Sequence, residues 1–161
     1  MTASRLDLLG GLDLRVGSRE CRTVLAQPKR LGLLVFLTLR RQGGFLRRDE
    51  LLGALWPDSP EDRARAALRQ ALRFLRRELG SDVIVNRGVA EVGLGPDRLE
   101  CDALELKRAY DRGEDRTVVD LYSGELLPGF HLDGAYEFER WLKRPLKKYR
   151  ANRWEPQGPQ P

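Results

Sequence analysis

Residues 63–79 read RARAALRQALRFLRREL, and this stretch decides the fold prediction. Six of its residues are arginines, while leucine recurs at a helical spacing. On a wheel turning about 100° per residue, the four leucines fall within about 60° of one another, which is the core-facing stripe of an amphipathic helix. These leucines are Leu68, Leu72, Leu75 and Leu79. The pattern therefore predicts one long helix, beginning at Pro60 and ending before Gly80.

The face opposite the leucines is suited to nucleic acid. It carries Arg63, Ala66, Gln70, Arg73, Phe74 and Arg77, and one flank carries Arg65, Arg69 and Arg76. Arginine pairs bidentately with guanine and glutamine with adenine in the major groove, while flanking arginines meet phosphates. We expect Phe74, on this outer face, to pack on the following hairpin or to contact a thymine methyl. A solvated, arginine-rich surface helix is the alternative interpretation.

The net charge of +5 is concentrated in the middle of the chain. Residues 21–90 carry 14 basic and 7 acidic residues, against 12 and 14 in residues 91–161. Such a basic region indicates a patch for an anionic partner. The longest apolar run, residues 31–39, is shorter than the roughly 20 residues of a membrane span, and the N-terminus lacks an apolar signal core. We therefore expect a cytoplasmic protein without a membrane partner.

The residue types that perform chemistry are few and scattered. The spacing of Cys21, Cys101 and His131 matches no zinc pattern, since a closed structural site takes four ligands. The acids form no paired catalytic motif with a base, and no glycine-rich phosphate loop follows a strand. The sequence thus predicts no enzyme activity, no metal site and no cofactor.

The order of the predicted elements is that of a winged helix. Alternating strands at residues 6–16, with a third short strand at 23–25, precede helices at 29–40, 48–55 and 60–79, and a hairpin follows at 83–94. In a winged helix the third helix enters the major groove. Further helices are predicted at 102–112, 114–122 and 136–150, followed by a disordered tail at 151–161.

Several strings resemble SARP-type bacterial transcriptional activators over roughly residues 5–150. They are QPKRL (27–31), RDEL (48–51), LWP (55–57), ALRQAL (67–72), LRRELG (75–80), LYSGELLPGF (121–130) and EFERWL (137–142). The resemblance implies an α+β fold: an OmpR-like winged helix, with an N-terminal β-sheet, three helices and a β-hairpin wing, followed by a short all-α segment. That segment resembles the first helices of a tetratricopeptide-like bacterial transcriptional activation domain. We predict a winged-helix domain at 1–98, the helical segment at 99–150 and a tail at 151–161.

The resemblance also implies which residues contact DNA. Recognition-helix positions fall on Arg69, Gln70, Arg73 and Phe74, with Arg63, Arg65 and Arg77 beside them. The wing falls at residues 86–90, with Asn86 and Arg87 at its tip. Lys29, Arg47 and Arg48, near helix starts, are expected phosphate contacts, although solvated basic residues at helix ends would look the same.

These observations predict a sequence-specific regulator of transcription that binds double-stranded DNA in the bacterial nucleoid. The resemblance implies tandem binding to direct repeats near a promoter and contact with RNA polymerase. The alternative is an adaptor module that forms a homodimer or recruits a partner through helices at 102–150. In particular, Tyr136, Phe138, Trp141 and Leu142 either dock onto the winged helix or pair with a second chain.

Overall fold

A computed structural model describes residues 3–144. The first strands of the chain belong to a four-stranded sheet. Its strands are β1 (Ser4–Asp7), β2 (Asp13–Val16), β3 (Arg19–Glu20) and β7 (Leu99–Cys101). Their order is β3-β2-β1-β7, with β1–β2 and β2–β3 antiparallel and β7 parallel to β1. The predicted alternation holds in β1, where Leu6 is fully buried between half-buried neighbours.

Four helices follow: α1 (Arg22–Leu25), α2 (Pro28–Leu39), α3 (Arg48–Leu55) and α4 (Glu61–Leu79). Pro28 occupies the first position of α2, where its missing N–H costs nothing. Every residue from 31 to 39 is buried, so α2 is the central helix of the core. The predicted third strand at 23–25 was wrong, because these residues form the single turn of α1 and only Val24 enters the core. Three residues are too few to distinguish the period of a strand from that of a helix.

The wing is a three-stranded sheet with the order β4-β6-β5. Strands β5 (Ile84–Arg87) and β6 (Glu91–Leu94) form the predicted hairpin, and Gly88 turns it with a φ of 63°. The third strand, β4 (Leu46–Arg47), was not expected and pairs with β6. Since the Arg48 N–H donates to the Ala90 carbonyl at 2.8 Å, the start of α3 is attached to the wing.

Three helices form the segment after the wing. They are α5 (Asp102–Asp111), α6 (Asp115–Leu121) and α7 at residues 136–144. The break between α5 and α6 lies at Gly113, as predicted. The remainder of the helix predicted at 136–150 and the tail predicted at 151–161 lie outside the described residues. Among residues 3–144, no helix has the length and apolar character that crossing a membrane requires.

Helix α7 docks onto the winged helix rather than presenting its aromatic face to solvent. The ring of Trp141 stands edge-on to Phe36 of α2 with centroids 4.8 Å apart, and Phe138 lies 6.2 Å from the same ring. Phe138 is fully buried and Leu142 nearly so, whereas Tyr136 is 62% exposed. Of the two open interpretations, docking within the chain therefore holds for Phe138, Trp141 and Leu142.

Buried hydrogen bonds join the N-terminal strands to the helical segment. The Asp102 carboxylate accepts the N–H groups of Leu8, Leu9 and Ala103 at 2.8, 3.0 and 2.7 Å. The Leu127 N–H donates to the Leu8 carbonyl at 2.7 Å. These bonds and the β1–β7 pairing cross the predicted boundary at residues 98 and 99. The division into two domains stays a prediction.

Candidate nucleic-acid interface

Helix α4 is divided between a buried stripe and an exposed basic face. The four leucines are buried together with Ala64 and Ala71. The exposed positions of the helix body are Arg63, Arg65, Arg69, Gln70, Arg73 and Arg77, and Arg76 is half-buried. The helical wheel therefore predicted the exposure of these arginines and of Gln70 correctly.

Phe74 is the exception, because it lies opposite the leucine stripe and is nevertheless covered by the protein itself. The side chain is 6% exposed and belongs to the core. The Arg30 guanidinium of α2 lies 4.6 Å from the ring centroid, and that of Arg77 lies 5.6 Å away. Because α2 packs against this side of α4, a position remote from the leucine stripe is nevertheless covered. This burial removes the basis for the predicted contact with a thymine methyl.

A groove of about 770 Å³ runs between the start of α3, one flank of α4 and the wing. We call it the arginine groove. Its basic lining is Arg47, Arg48, Arg65, Arg69, Arg73 and Arg76, and its wing side is Asn86, Gly88, Val89 and Ala90. Leucines 52, 68 and 72 complete the lining, and Asp49 is the acid among these residues. The structure thus brings together predicted site residues from three separate parts of the sequence.

Asn86 links the two sides of the arginine groove. Its Oδ1 accepts hydrogen bonds from Nη2 of Arg48 at 3.2 Å and from Nη2 of Arg76 at 3.0 Å. Arg76 also donates from Nε to the Ile84 carbonyl at 3.0 Å. The wheel had placed Arg76 with Arg65 and Arg69 on the flank expected to meet phosphates, although the resemblance did not include it among the recognition positions.

Most of the positive charge of the arginine groove has no ion-pair partner among the described residues, the exception being Arg65, which pairs with Glu61. Within residues 3–144, no carboxylate forms an ion pair with Arg48, Arg69, Arg73 or Arg76. Burial lowers the pKa of Arg48, and repulsion from Arg76 and Arg69 lowers it further. Because like charges are held together there, a bound anion would relieve the repulsion.

Arg87 is engaged within the wing. Its Nε and Nη2 donate to the Glu91 carboxylate at 2.9 and 3.0 Å, and its guanidinium lies 4.3 Å from the Phe45 ring centroid. Those hydrogen bonds raise the pKa of Arg87. The tip of the hairpin is Gly88, Val89 and Ala90, with Val89 93% exposed. Arg87 therefore stands one residue before the tip, with its charge balanced by Glu91.

The other predicted contacts lie around the arginine groove rather than in its lining. Lys29 stands with its ammonium 5.7 Å from the Trp56 ring centroid. Arg65, which does line the groove, also pairs with Glu61 in the preceding turn, and Arg77 lies 3.9 Å from Glu78. Arg63 and Gln70 are exposed on the outer face of α4. The predicted residues thus form a groove and an adjoining helix face.

The cysteines and the histidine stand apart from this surface. Cys21 and Cys101 are buried, free thiols, and burial raises the pKa of Cys101 to about 12. The His131 imidazole lies 3.1 Å from an Asp133 oxygen and 3.0 Å from a Glu139 oxygen. In the part of the chain that the structure describes, no cluster of three or more such groups is arranged to hold a metal ion.

The chain is similar in sequence to a part of two much longer regulatory proteins. It is 30% identical over 157 residues to the regulatory protein AfsR of Streptomyces griseus, and 33% identical over 116 residues to that of Streptomyces coelicolor. The matches cover 86% and 63% of this chain, but the chain spans only 16% and 12% of the lengths of these relatives. No protein-family model matches it.

The fold is also found in a solved structure. Mycobacterium tuberculosis EmbR, determined in complex with a low-affinity phosphopeptide, superposes with a TM-score of 0.67 at 19% identity. The match covers 94% of this chain and 44% of the other. At this identity the similarity concerns the fold alone, and it confirms the α+β architecture of a winged helix followed by helices.

Proposed function

We propose, from the premise that the chain is a SARP-type regulator in sequence and in fold, that it binds double-stranded DNA sequence-specifically and regulates transcription. Helix α4 would lie in the major groove, with the wing flanking it. One observation carries the proposal: several arginines that have no carboxylate partner within residues 3–144 line a groove beside an exposed helix face of arginine and glutamine.

The exposed residues divide by the chemistry of their targets. Arg69, Gln70 and Arg73 are the proposed base readers, since their side chains can form bidentate pairs with guanine or adenine. Arg47, Arg48 and Lys29, with Arg63, Arg65 and Arg77, are the proposed phosphate contacts that fix the register. The proposed action is binding without a chemical step, so it needs no cofactor.

The wider setting is proposed from the family alone. The resemblance to SARP-type regulators implies that the chain binds direct repeats in tandem near a promoter. It also implies contact with RNA polymerase and action in the bacterial nucleoid. The adaptor interpretation has less support, because Phe138, Trp141 and Leu142 are occupied within the chain. A homodimer would have to use other residues of the helical segment.

The test is selection from a pooled random-sequence duplex library at two salt concentrations. An enriched motif, repeated at about one helical turn, would support a sequence-reading regulator. Uniform binding that salt abolishes would indicate a backbone clamp. No retention at low salt, with a concentration-dependent mass near twice 18.4 kDa, would contradict the proposal and favour the adaptor.

A further inference from the structure

Asn86 occupies an unusual position for a predicted DNA contact, because its side-chain oxygen is already used inside the protein. We propose that Arg48 and Arg76 together bind one phosphate of the DNA backbone, and that Asn86 is the positioning residue that holds their guanidiniums side by side. This inference rests on the proposed function. It adds Arg76 to the binding residues and gives Asn86 an indirect role.

The geometry of the pair points to a built site. One oxygen, Oδ1 of Asn86, accepts from Nη2 of Arg48 at 3.2 Å and from Nη2 of Arg76 at 3.0 Å. Each guanidinium retains further N–H donors, and its planar fork matches two phosphate oxygens. A neutral amide oxygen can gather two cations without cancelling their charge, whereas a carboxylate in the same place would neutralise them.

Both arginines are also fixed by the wing backbone. Nε of Arg76 donates to the Ile84 carbonyl at 3.0 Å, and the backbone N–H of Arg48 donates to the Ala90 carbonyl at 2.8 Å. Asn86 itself is paired with Val92 in the hairpin register. Long side chains held before the ligand arrives lose less conformational freedom on binding.

The charges around the pair favour an anion. Arg69 lies close enough to repel Arg48, and burial of Arg48 adds to that cost. Asp49 also lines the groove but forms no ion pair with either arginine in the described part of the chain. The groove is open and continuous with the exposed face of α4, so a duplex backbone reaches the pair as the helix enters the major groove.

The test uses the full chain and a random-sequence duplex, with the dissociation constant measured by fluorescence anisotropy over a range of salt concentrations. Arg76→Gln keeps a donor for Asn86 and removes the charge. We expect the slope of log affinity against log salt to fall by up to about 0.9, the full value of one phosphate contact, because Arg48 alone neutralises the shared phosphate less completely. Arg116→Gln, at an exposed arginine of α6, is the matched control and should leave the slope unchanged.

Asn86→Asp separates positioning from a merely structural role. The new carboxylate would pair with both arginines, so the thermal unfolding midpoint should stay the same or rise. Affinity for the duplex should nevertheless fall by about tenfold near 0.1 M salt, because the phosphate site is neutralised. A structural role alone would move both quantities in the same direction. Asn86→Ser, which is too short to reach both arginines, should weaken binding less.

Four outcomes would overturn the inference. If the wild type binds the duplex and Arg76→Gln keeps the full salt slope, the phosphate site is wrong but the proposed function stands. The same holds if Asn86→Asp binds the duplex with the affinity of the wild type. Wild type that binds no duplex would overturn the proposed function with it. A saturable rise in the unfolding midpoint with inorganic phosphate, relative to chloride at equal ionic strength, that is lost in Arg76→Gln although this variant keeps the wild-type affinity for the duplex would assign the site to free phosphate instead.

Discussion

Helices α4 and α7 are both amphipathic, yet their outer faces differ in one respect. Each buries an apolar stripe, the leucines of α4 and the aromatic residues of α7. On α7, Arg140 pairs with Glu137 at 3.3 Å, so the charge of this arginine is balanced within the helix. On α4, Arg69 and Arg73 have no carboxylate partner in the described chain. The chain itself covers both apolar stripes, whereas Arg69 and Arg73 of α4 remain exposed.

The same contrast extends to the rest of the helical segment. Lys107 pairs with Asp111 at 3.1 Å, and Arg112 pairs with Glu114 at 2.9 Å. Such exposed pairs add little to stability, but they remove net charge from the surface. We therefore expect the salt dependence of DNA binding to originate in the winged helix, and the helical segment to contribute through packing. Four substitutions test this separation, in order of decreasing effect.

Phe138→Ala should have the largest effect, and the effect should be on stability. The side chain is fully buried against Phe36 and Trp141, so its loss leaves a cavity and should cost about 3–5 kcal/mol. Urea unfolding measures this cost. Tyr136→Ala, at a 62% exposed ring of the same helix, should stay within about 0.5 kcal/mol. A changed salt slope of DNA binding in the folded Phe138→Ala protein would argue against the separation.

Asp102→Ala should destabilise the protein by about 3 kcal/mol. The substitution leaves the N–H groups of Leu8, Leu9 and Ala103 without their acceptor in a buried place, and each unsatisfied donor is costly. Urea unfolding again gives the number, and Asp102→Asn, which keeps one acceptor oxygen, should cost less. If the wild type and Asp102→Ala had the same free energy of unfolding, water would have to reach the three N–H groups and replace the carboxylate as their acceptor.

Arg73→Ala should reduce discrimination rather than stability. A base-reading arginine is worth about 1–3 kcal/mol between the selected site and a random duplex. Competition binding with the two duplexes measures this difference, and Gln70→Ala should act similarly. An equal loss on both duplexes would make Arg73 a backbone contact, and the outer face of α4 would lose its proposed role in base reading.

Glu91→Gln should have the smallest effect, a gain of a few-fold in affinity for any duplex. It frees the Arg87 guanidinium and removes a negative charge beside the arginine groove, so the salt slope should become slightly steeper. The matched control is Glu114→Gln, which frees Arg112 in the helical segment. If both variants gained equally, net charge rather than its location would determine binding.

The parts of the fold that the sequence predicted are those with a local signal. Helices α3 and α4 were evident from periodicity and α2 from its nearly continuous apolar run, each with Pro or Gly at an end. The hairpin was evident from its short strands around Gly88. Strands β4 and β7 were missed because two or three residues show no period. Their pairing depends on partners far along the chain, such as Val92 for Leu46. The choice between docking of α7 within the chain and pairing with a second chain likewise required the tertiary structure.

The candidate site was predicted in its composition but not in its contacts. Periodicity placed Arg69, Gln70 and Arg73 on the exposed side of α4, and the structure agrees on that exposure. It failed for Phe74, because a wheel describes one helix and not the neighbour that covers it. The hydrogen bond between Arg76 and Asn86 forms because the wing packs against α4, and no short stretch of sequence predicts that packing. Whether these residues contact DNA stays a prediction.

The parallel pairing of β1 with β7 bears on how the chain is made. Ser4 emerges from the ribosome before its partner Leu99, which follows only after the intervening helices and the wing have been synthesised. Until then β1 has a free edge whose N–H and C=O groups could pair with another nascent chain. Closing so long a loop is also slow relative to forming the local hairpin with β2. The interval before β7 arrives is therefore the stage of biogenesis at which chaperone protection would matter most.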